Sequence, residues 1–410
     1  MAFLSRFFSR SQSAPLPTLE DLLQTRDVPG DLPGLEALIP DFEHHDAEGR
    51  ERWADALAEL HAAGQPLPPL WVDAQYDLLP QVVPTWKGER DGYYYKPFVE
   101  GLSLRILTGG QVMPAPWLEL WGVGEGDVRE RALEQLREKS KNHPFQRLAS
   151  GIYQSDFQDG LDASRILLPE LWKDLFPGQN TFLSVPTGAK LLVSPQVLLP
   201  KLVEAIDGAL ADPAERLFAT IFQSVGGNIM PANLQDPHPI AQPQRELRQS
   251  DVLHAYRAQE AHLDPAQGAV GPVGMMRTQQ GRAISYTLWN EGQTMLLPET
   301  DLIVFVTTKG KPLGLFVTKT LPRIPELKGT PVDIWGPRRV RYEGFPTEEQ
   351  LGRLECLANA EQTLEILKTQ EGARRPAPAP SPVKGQTSGG ASPVPPHLRG
   401  ISLGVQSKDE

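Results

Sequence analysis

Asp159-Gly160-Leu161-Asp162-Ala163-Ser164-Arg165-Ile166-Leu167 is the most patterned stretch of the chain, and Phe182-Leu183-Ser184-Val185-Pro186 and Leu191-Leu192-Val193 follow it some 15 residues on. Phe182–Pro186 and Lys190–Ser194 flank Thr187-Gly188-Ala189 and read as a β-hairpin, two β-prone segments joined by a tight glycine-bearing turn. Ahead of them, Asp159-Gly160 is turn chemistry and Asp162 is a cap for a helix starting at Ala163. Arg165 then stands where it can pair with Asp159 or Asp162 at the helix entrance. A polar turn, a helical segment and a hairpin in this order set an α+β fold with antiparallel or mixed sheets.

The same residues carry a chemical reading. Asp156, Asp159 and Asp162 would form a carboxylate cluster for a cation, and hence a metal-dependent hydrolase site near Asp159 and Asp162; Arg165 would alternatively read an anionic partner. Calcium loops place oxygens at alternate positions, whereas these acids are three apart with Gln158 and Gly160 between. The structural reading of Asp159, Gly160, Asp162, Ala163, Ser164 and Arg165 is preferred, so no metal, cofactor or catalytic residue is assigned.

Working outward, residues 11–45 read as a loop with one short helix. Asp46 caps a helix over 47–63 with Trp53, Leu57, Leu60 and His61 on one face. Strands are expected at Leu70–Val72, Gln81–Trp86, Tyr93–Phe98 and Leu102–Leu107. Asp127 with Glu130 forms a capping box for a helix to about Lys141. Pro200 starts an amphipathic helix through Leu202, Val203, Ile206 and Leu210. Asp212–Glu215 repeats the cap logic before Leu217, Phe218, Ile221 and Val225, which read as another helix. After a Pro- and Gly-rich loop over 226–243, residues 250–262 read as a short polar helix and strands fall at 272–278, 283–290, 301–308 and 313–319. A last helix opens at the box Thr347-Glu348-Glu349-Gln350 and carries Leu351, Leu354, Leu357, Leu364 and Leu367 to Gly372, with Cys356 in its buried face.

These elements divide the chain into an arm (1–66), an α+β domain (67–235), a linker (236–249), a second α+β unit (250–372) and a Pro-rich tail (373–410) expected to be disordered. The 410 residues hold 40 basic and 51 acidic side chains, a net −11. Residues 1–19 carry +2 and residues 373–410 carry +3, so the 353 residues between carry −16. An acidic body of this kind disfavours broad nucleic-acid binding, leaving Gly336–Arg341 and Arg374-Arg375 as the basic clusters for a weak association. One cysteine excludes an intramolecular disulfide framework, a four-cysteine zinc site and an iron–sulfur cluster. No apolar run is long enough for a transmembrane helix. In residues 1–10, Phe3, Leu4, Phe7 and Phe8 share one helical face and Arg6 and Arg10 lie one turn apart, which offers at most a weak peripheral membrane contact.

The Asp159–Leu167 motif with its hairpin resembles YtpQ-like proteins, a bacterial family of no assigned function. Leu79–Val83, Leu118–Trp121 and the turn Gly226-Gly227 through Pro231 sit in similar order, so the likeness covers about residues 70–235. The chain departs from it in its Pro-rich Asp236–Gln244 and in the additional 246–372 unit. The resemblance implies a fold neighbourhood and no reaction. With no pairing of nucleophile and base at recognisable spacing, the expected function is a cytoplasmic bacterial protein-interaction or adaptor protein, non-catalytic and free of cofactors.

Overall fold

Asp46 caps the first long helix, its side chain accepting from the Gly49 amide, and the helix runs Ala47–Ala62. The computed structural model describes residues 16–88, 92–141, 145–211, 216–235, 237–278, 282–332 and 336–373. Two short helices, Leu19–Gln24 and Leu35–Glu43, precede the capped helix where one was expected. They pack with Trp117–Trp121 around Leu38, Phe42, Trp53, Leu57, Leu60 and Trp121. Beneath this helical layer lies a four-stranded antiparallel sheet in the order Leu79–Pro84, Leu102–Thr108, Tyr95–Val99, with Gln111–Val112 also on the central strand. The expected strand Leu70–Val72 is instead the start of a helical turn, Trp71–Ala74, docked on the Trp117–Trp121 helix: the Trp71 ring lies 5.2 Å from that of Trp121, whose Nε1 donates to the Pro69 carbonyl.

The hairpin is present as Thr181–Thr187 and Lys190–Pro195, at the centre of a six-stranded antiparallel sheet. Its outer strands are Asn228–Pro231 at one edge and Gln146–Arg147 at the other. Helix Leu199–Leu210 covers one face through Leu202 and Ile206; the opposite face presents Leu183, Val185, Val193 and Phe222 to Trp172, Ile166 and the first sheet's Val82 and Leu102. The helix expected over Leu217–Val225 is a ten-residue strand, Arg216–Val225, paired with Thr181–Thr187. Leu217–Phe222 is buried on both faces, so it shows no alternation, and an i, i+4 spacing satisfies a period of two as well as a helical turn. Its expected cap, 212–215, lies outside the described residues.

The linker expected at 236–249 is also corrected. From Ala241 the chain forms a 20-residue helix to Glu260, with Pro243 tolerated in its first turn. One side of this helix docks on the six-stranded sheet: buried Asp251 accepts from Arg216 (2.6 and 3.1 Å) and from the Thr220 amide and hydroxyl. The other side meets the C-terminal strands, through Gln249 to the Ala283 carbonyl, Glu246 to Arg277 and the Tyr256 hydroxyl to the Arg338 carbonyl. The helix thus joins the two expected α+β units into one compact unit, residues 1–364; residues 365–410 form a second.

Beyond this helix, two further sheets share a core of Trp289, Met295, Leu297, Phe305, Phe316, Leu351 and Leu354. One runs Val273–Arg277, Ala283–Asn290, Leu302–Val306, Pro312–Val317, Cys356–Asn359, and is mixed because Ala283–Asn290 and Leu302–Val306 are parallel. The other orders Ala269–Val270, Met295–Pro298, Arg339–Tyr342, Gly329–Pro331. The long last helix is corrected to three elements. The Thr347–Gln350 box caps only Glu348–Leu351. Cys356–Asn359 then adds to the open edge of Pro312–Val317, and a second reciprocal cap between Asn359 and Gln362 opens helix Ala360–Ala373. Cys356 is accordingly exposed on an edge strand, not buried in a helix. The fold is α+β with antiparallel and mixed sheets. Among the described residues no helix is long and apolar enough to cross a membrane. The tail from residue 374 and the arm residues 1–15 lie outside the described residues.

Candidate functional site: the signature loop and the cleft it walls

Residues 155–165 are pinned at both ends. The Ser155 amide donates to the Leu191 carbonyl and its hydroxyl accepts from the Leu191 amide, fixing the loop to the hairpin. Gln158 (φ 57°) and Gly160 (φ 75°) turn the chain through left-handed backbone. Asp159 Oδ1 accepts from the Leu161 amide at 3.0 Å, an Asx turn. The same carboxylate grips Arg165 with both oxygens, 2.9 Å to Nη1 and 2.8 Å to Nη2. Of the two partners open to Arg165 in the sequence, Asp159 is the one used.

Arg165 is fully buried, whereas the Asp159 side chain is 30% exposed. The guanidinium donates from Nε to Ser140 Oγ (3.0 Å), which in turn donates to the Leu136 carbonyl, and it lies 3.5 Å from the centre of the Phe157 ring. Burial alone would raise the Asp159 pKa, but the hydrogen bonds from Arg165 and the Leu161 amide outweigh it and hold the carboxyl below its usual range. Asp162 is not the helix cap. It turns inward, where Oδ1 accepts from the Phe157 amide at 3.0 Å, and Ala163–Leu167 forms a 3₁₀ segment. Its first amide is taken elsewhere: Ala163 N donates to the Gly188 carbonyl of the hairpin turn. Ser164 Oγ accepts from the Val82 amide of the first sheet at 3.0 Å.

All six signature residues are therefore brought together: Arg165, Ser164 and Ala163 join the loop to the helix Glu125–Ser140, the strand Leu79–Pro84 and the hairpin, while Asp159, Gly160 and Asp162 hold the loop itself. The three carboxylates do not converge. Asp156 accepts from Gln158, Asp159 holds Arg165 and Asp162 holds the loop. Among the described residues no group of three His, Cys, Asp or Glu side chains could hold a metal ion. Phe3, Leu4, Arg6, Phe7, Phe8 and Arg10, the surface-anchor candidates, lie outside the described residues.

What the signature builds is a wall. Ile166, Leu167 and Pro169 line a cleft of about 650 Å³. Its other walls are two sheet-edge strands, Tyr95–Val99 through Lys96, Pro97 and Phe98, and Asn228–Pro231 through Asn228 and Ile229. The hairpin turn before the second of these supplies Gly227, and helix Glu125–Ser140 contributes Glu125, Gly126, Arg129 and Leu133. That helix starts at Glu125 with Gly124 as its cap residue, three residues ahead of the expected cap Asp127, which instead reaches back to the Gly124 amide as the return half of the cap. The lining mixes apolar and charged side chains: Lys96 pairs with Glu125 at 2.5 Å, and no ion pair to Arg129 is present among the described residues. Tyr94 is 3% exposed, and burial together with Glu125 raises its hydroxyl pKa while Arg129 pulls it back, so both charges act across the cleft. The sequence does not point to this cleft, because its lining comes from five separate segments with no spacing in common. The one available signal is Gly101 between two strands, whose φ of 77° and contact with the Phe218 ring close the hairpin that bears Phe98.

No protein-family model, curated protein or solved structure matches the chain.

Proposed function

We propose that the chain is a non-catalytic protein-interaction protein whose cleft takes an extended, apolar segment of a partner protein carrying a carboxylate. The observation that carries this reading is that two sheet-edge strands border one cleft of mixed lining, with Phe98, Ile166 and Ile229 as apolar contacts and Arg129 among its charged residues. Edge strands offer unpaired backbone groups to an added strand, the apolar contacts take alternate side chains, and a cation fixes the register of an acidic group. The groups that would otherwise suggest chemistry, Asp159, Asp162 and Arg165, are consumed in holding the cleft wall. Within the same reading the protein is a cytoplasmic bacterial adaptor and residues 70–235 are YtpQ-like, a kinship supported by the Asp159–Leu167 sequence.

Selection of peptides on the purified full-length chain tests it. The selected peptides should be extended, apolar and acidic, and should bind Ile229→Lys and Arg129→Glu at least about tenfold more weakly than the parent. A selection that returns no binder, or binders indifferent to both substitutions, sinks the proposal.

A further inference from the structure

The first sheet presents its two faces to two different hollows. Leu104 and Tyr94 line the cleft, while their neighbours Arg105 and Tyr93 line a separate cavity of about 280 Å³, as the alternation of side chains along an extended backbone requires. The two hollows share no lining residue among those described. The charge in this cavity is all of one sign: Lys87 and Arg105 border it, and no acidic side chain does among the described residues. The same two cations line an adjoining cavity of about 210 Å³, whose described wall again holds no carboxylate. By contrast the cleft has Glu125 in its wall, and a third hollow has Asp127, Glu130 and Glu134.

Hydrogen bonds fix these walls. Arg105 Nε donates to Gln81 Oε1 at 2.8 Å, which sets the plane of the guanidinium. The Tyr94 amide donates to the Met113 carbonyl and the Ala115 amide to the Gly92 carbonyl, both at 2.9 Å, and hold Tyr93 opposite Pro114. Trp117 is buried and donates its Nε1 to the Pro66 carbonyl at 3.0 Å, so the indole has only carbon to offer the cavity, beside Val112 and Pro114. Tyr93 and Gln111 also line it, and among the described residues neither side chain has a hydrogen-bond partner.

We infer that this cavity is a binding site for a small aromatic carboxylate. Two cations with no described carboxylate in their wall select an anion, and a guanidinium held in one plane matches the two oxygens of a carboxylate. The carbon face of Trp117 with Val112, Pro66 and Pro114 takes a flat apolar ring, and Tyr93 and Gln111 meet a polar substituent on it. The volume sets the size. At about 280 Å³ the cavity falls at the lower end of small-molecule sites, which run from about 300 to 1,000 Å³. A single ring system with its acid group fills it; a dinucleotide does not fit. Lys87 and Arg105 also have other contacts to share with an incoming anion, so a single-ring acid should bind with a Kd of about 0.1–1 mM.

Calorimetric titration of the full-length chain with benzoate, 4-hydroxybenzoate and indole-3-carboxylate tests this. At least one acid should bind in that range, and 4-hydroxybenzyl alcohol, which keeps the ring and loses the charge, at least about tenfold more weakly than 4-hydroxybenzoate. Lys87→Gln, at an exposed position, and Arg105→Gln should each weaken binding at least about fivefold. Arg105→Lys, which keeps the charge and loses the paired donors, should fall between parent and Arg105→Gln. The Arg105 variants are compared once circular dichroism matches the parent; if they do not fold, Lys87→Gln decides alone. No binding of any of the three acids up to about 10 mM overturns the inference. Binding indifferent to these substitutions overturns it as well. Inorganic phosphate that binds as tightly as the acids also overturns it, because the ring then contributes nothing.

Discussion

Arg165 lies in the first half of the fold and Arg339 in the second; both guanidinium groups are fully buried. Around Arg165 the charge is met by one carboxylate six residues away, with both Asp159 oxygens engaged and the Phe157 ring across its face. Around Arg339 it is met almost entirely by neutral oxygens. Gln259 Oε1 accepts from Nε at 2.8 Å, the Gly271 and Leu296 carbonyls from Nη1 at 3.0 and 3.1 Å, and the Tyr256 carbonyl from Nη2 at 3.5 Å. Its nearest carboxylate, Glu260, is 3.5 Å away. Burial lowers the Arg339 pKa, with Glu260 and Tyr256 only partly opposing it. One buried charge is therefore neutralised by a single local partner and the other is solvated by dipoles from three segments. The first arrangement concentrates its dependence on one side chain; the second spreads it.

The largest effect that could break this contrast is at Asp159. Asp159→Ala leaves a buried guanidinium without its counter-charge, which costs about 3–5 kcal/mol, and denaturant unfolding should record the loss as a fall in midpoint at constant slope. The pH dependence follows from the depressed Asp159 pKa. In the unfolded chain this carboxyl titrates near an ordinary value, about 3.9, so its contribution is complete above that pH. It fades as pH falls through the lower folded-state value. The gap between parent and variant should therefore be full at neutral pH and close in acid. A gap that is small, or constant with pH, means that Arg165 draws its support from Ser140 and Phe157 instead.

A smaller effect is expected at Gln259. Gln259→Leu removes the acceptor of Arg339 Nε and the donor to the Pro337 carbonyl, while two carbonyls stay on Nη1. Leaving those buried groups unmet costs about 1–3 kcal/mol, below Asp159→Ala. Equal losses in the two variants, measured by the same unfolding titration, would remove the distinction between a concentrated and a distributed solution.

The same contrast explains what the sequence discloses. Asp159 and Arg165 lie six residues apart, so turn chemistry and charge pairing are readable together, and the hairpin behind them is legible in its two apolar runs. Arg339 depends on Tyr256, Gln259, Gly271 and Leu296, separated from it by 43 to 83 residues, and no local pattern joins them. Distance also accounts for the elements whose type differs from expectation. Arg216–Val225 takes strand form because Thr181–Thr187 offers it a partner, and Cys356–Asn359 leaves the helix that Leu351, Leu354 and Leu357 suggest because Pro312–Val317 has an open edge. Ala241–Glu260 reads as a linker at its start because its buried face is mixed, with Gln244, Asp251 and Gln259 inward among Ala241, Leu247, Ala255 and Tyr256, and gives no continuous apolar stripe. The cleft is hidden for the same reason, since each of its walls is ordinary within its own segment.

The smallest effect is the most discriminating for Arg339. Glu260 is its nearest carboxylate, yet the side chain is 36% exposed and the contact is longer than either Asp159–Arg165 bond. An ion pair open to solvent contributes less than about 1 kcal/mol and weakens as salt shortens the screening length. Glu260→Gln should therefore shift the unfolding midpoint slightly at low salt and not at high salt, with Arg339 still held by its four oxygens. A loss as large as that of Asp159→Ala, persisting in salt, would mean that Arg339 is neutralised by a carboxylate after all. The two halves of the molecule would then have solved the burial of a charge in the same way.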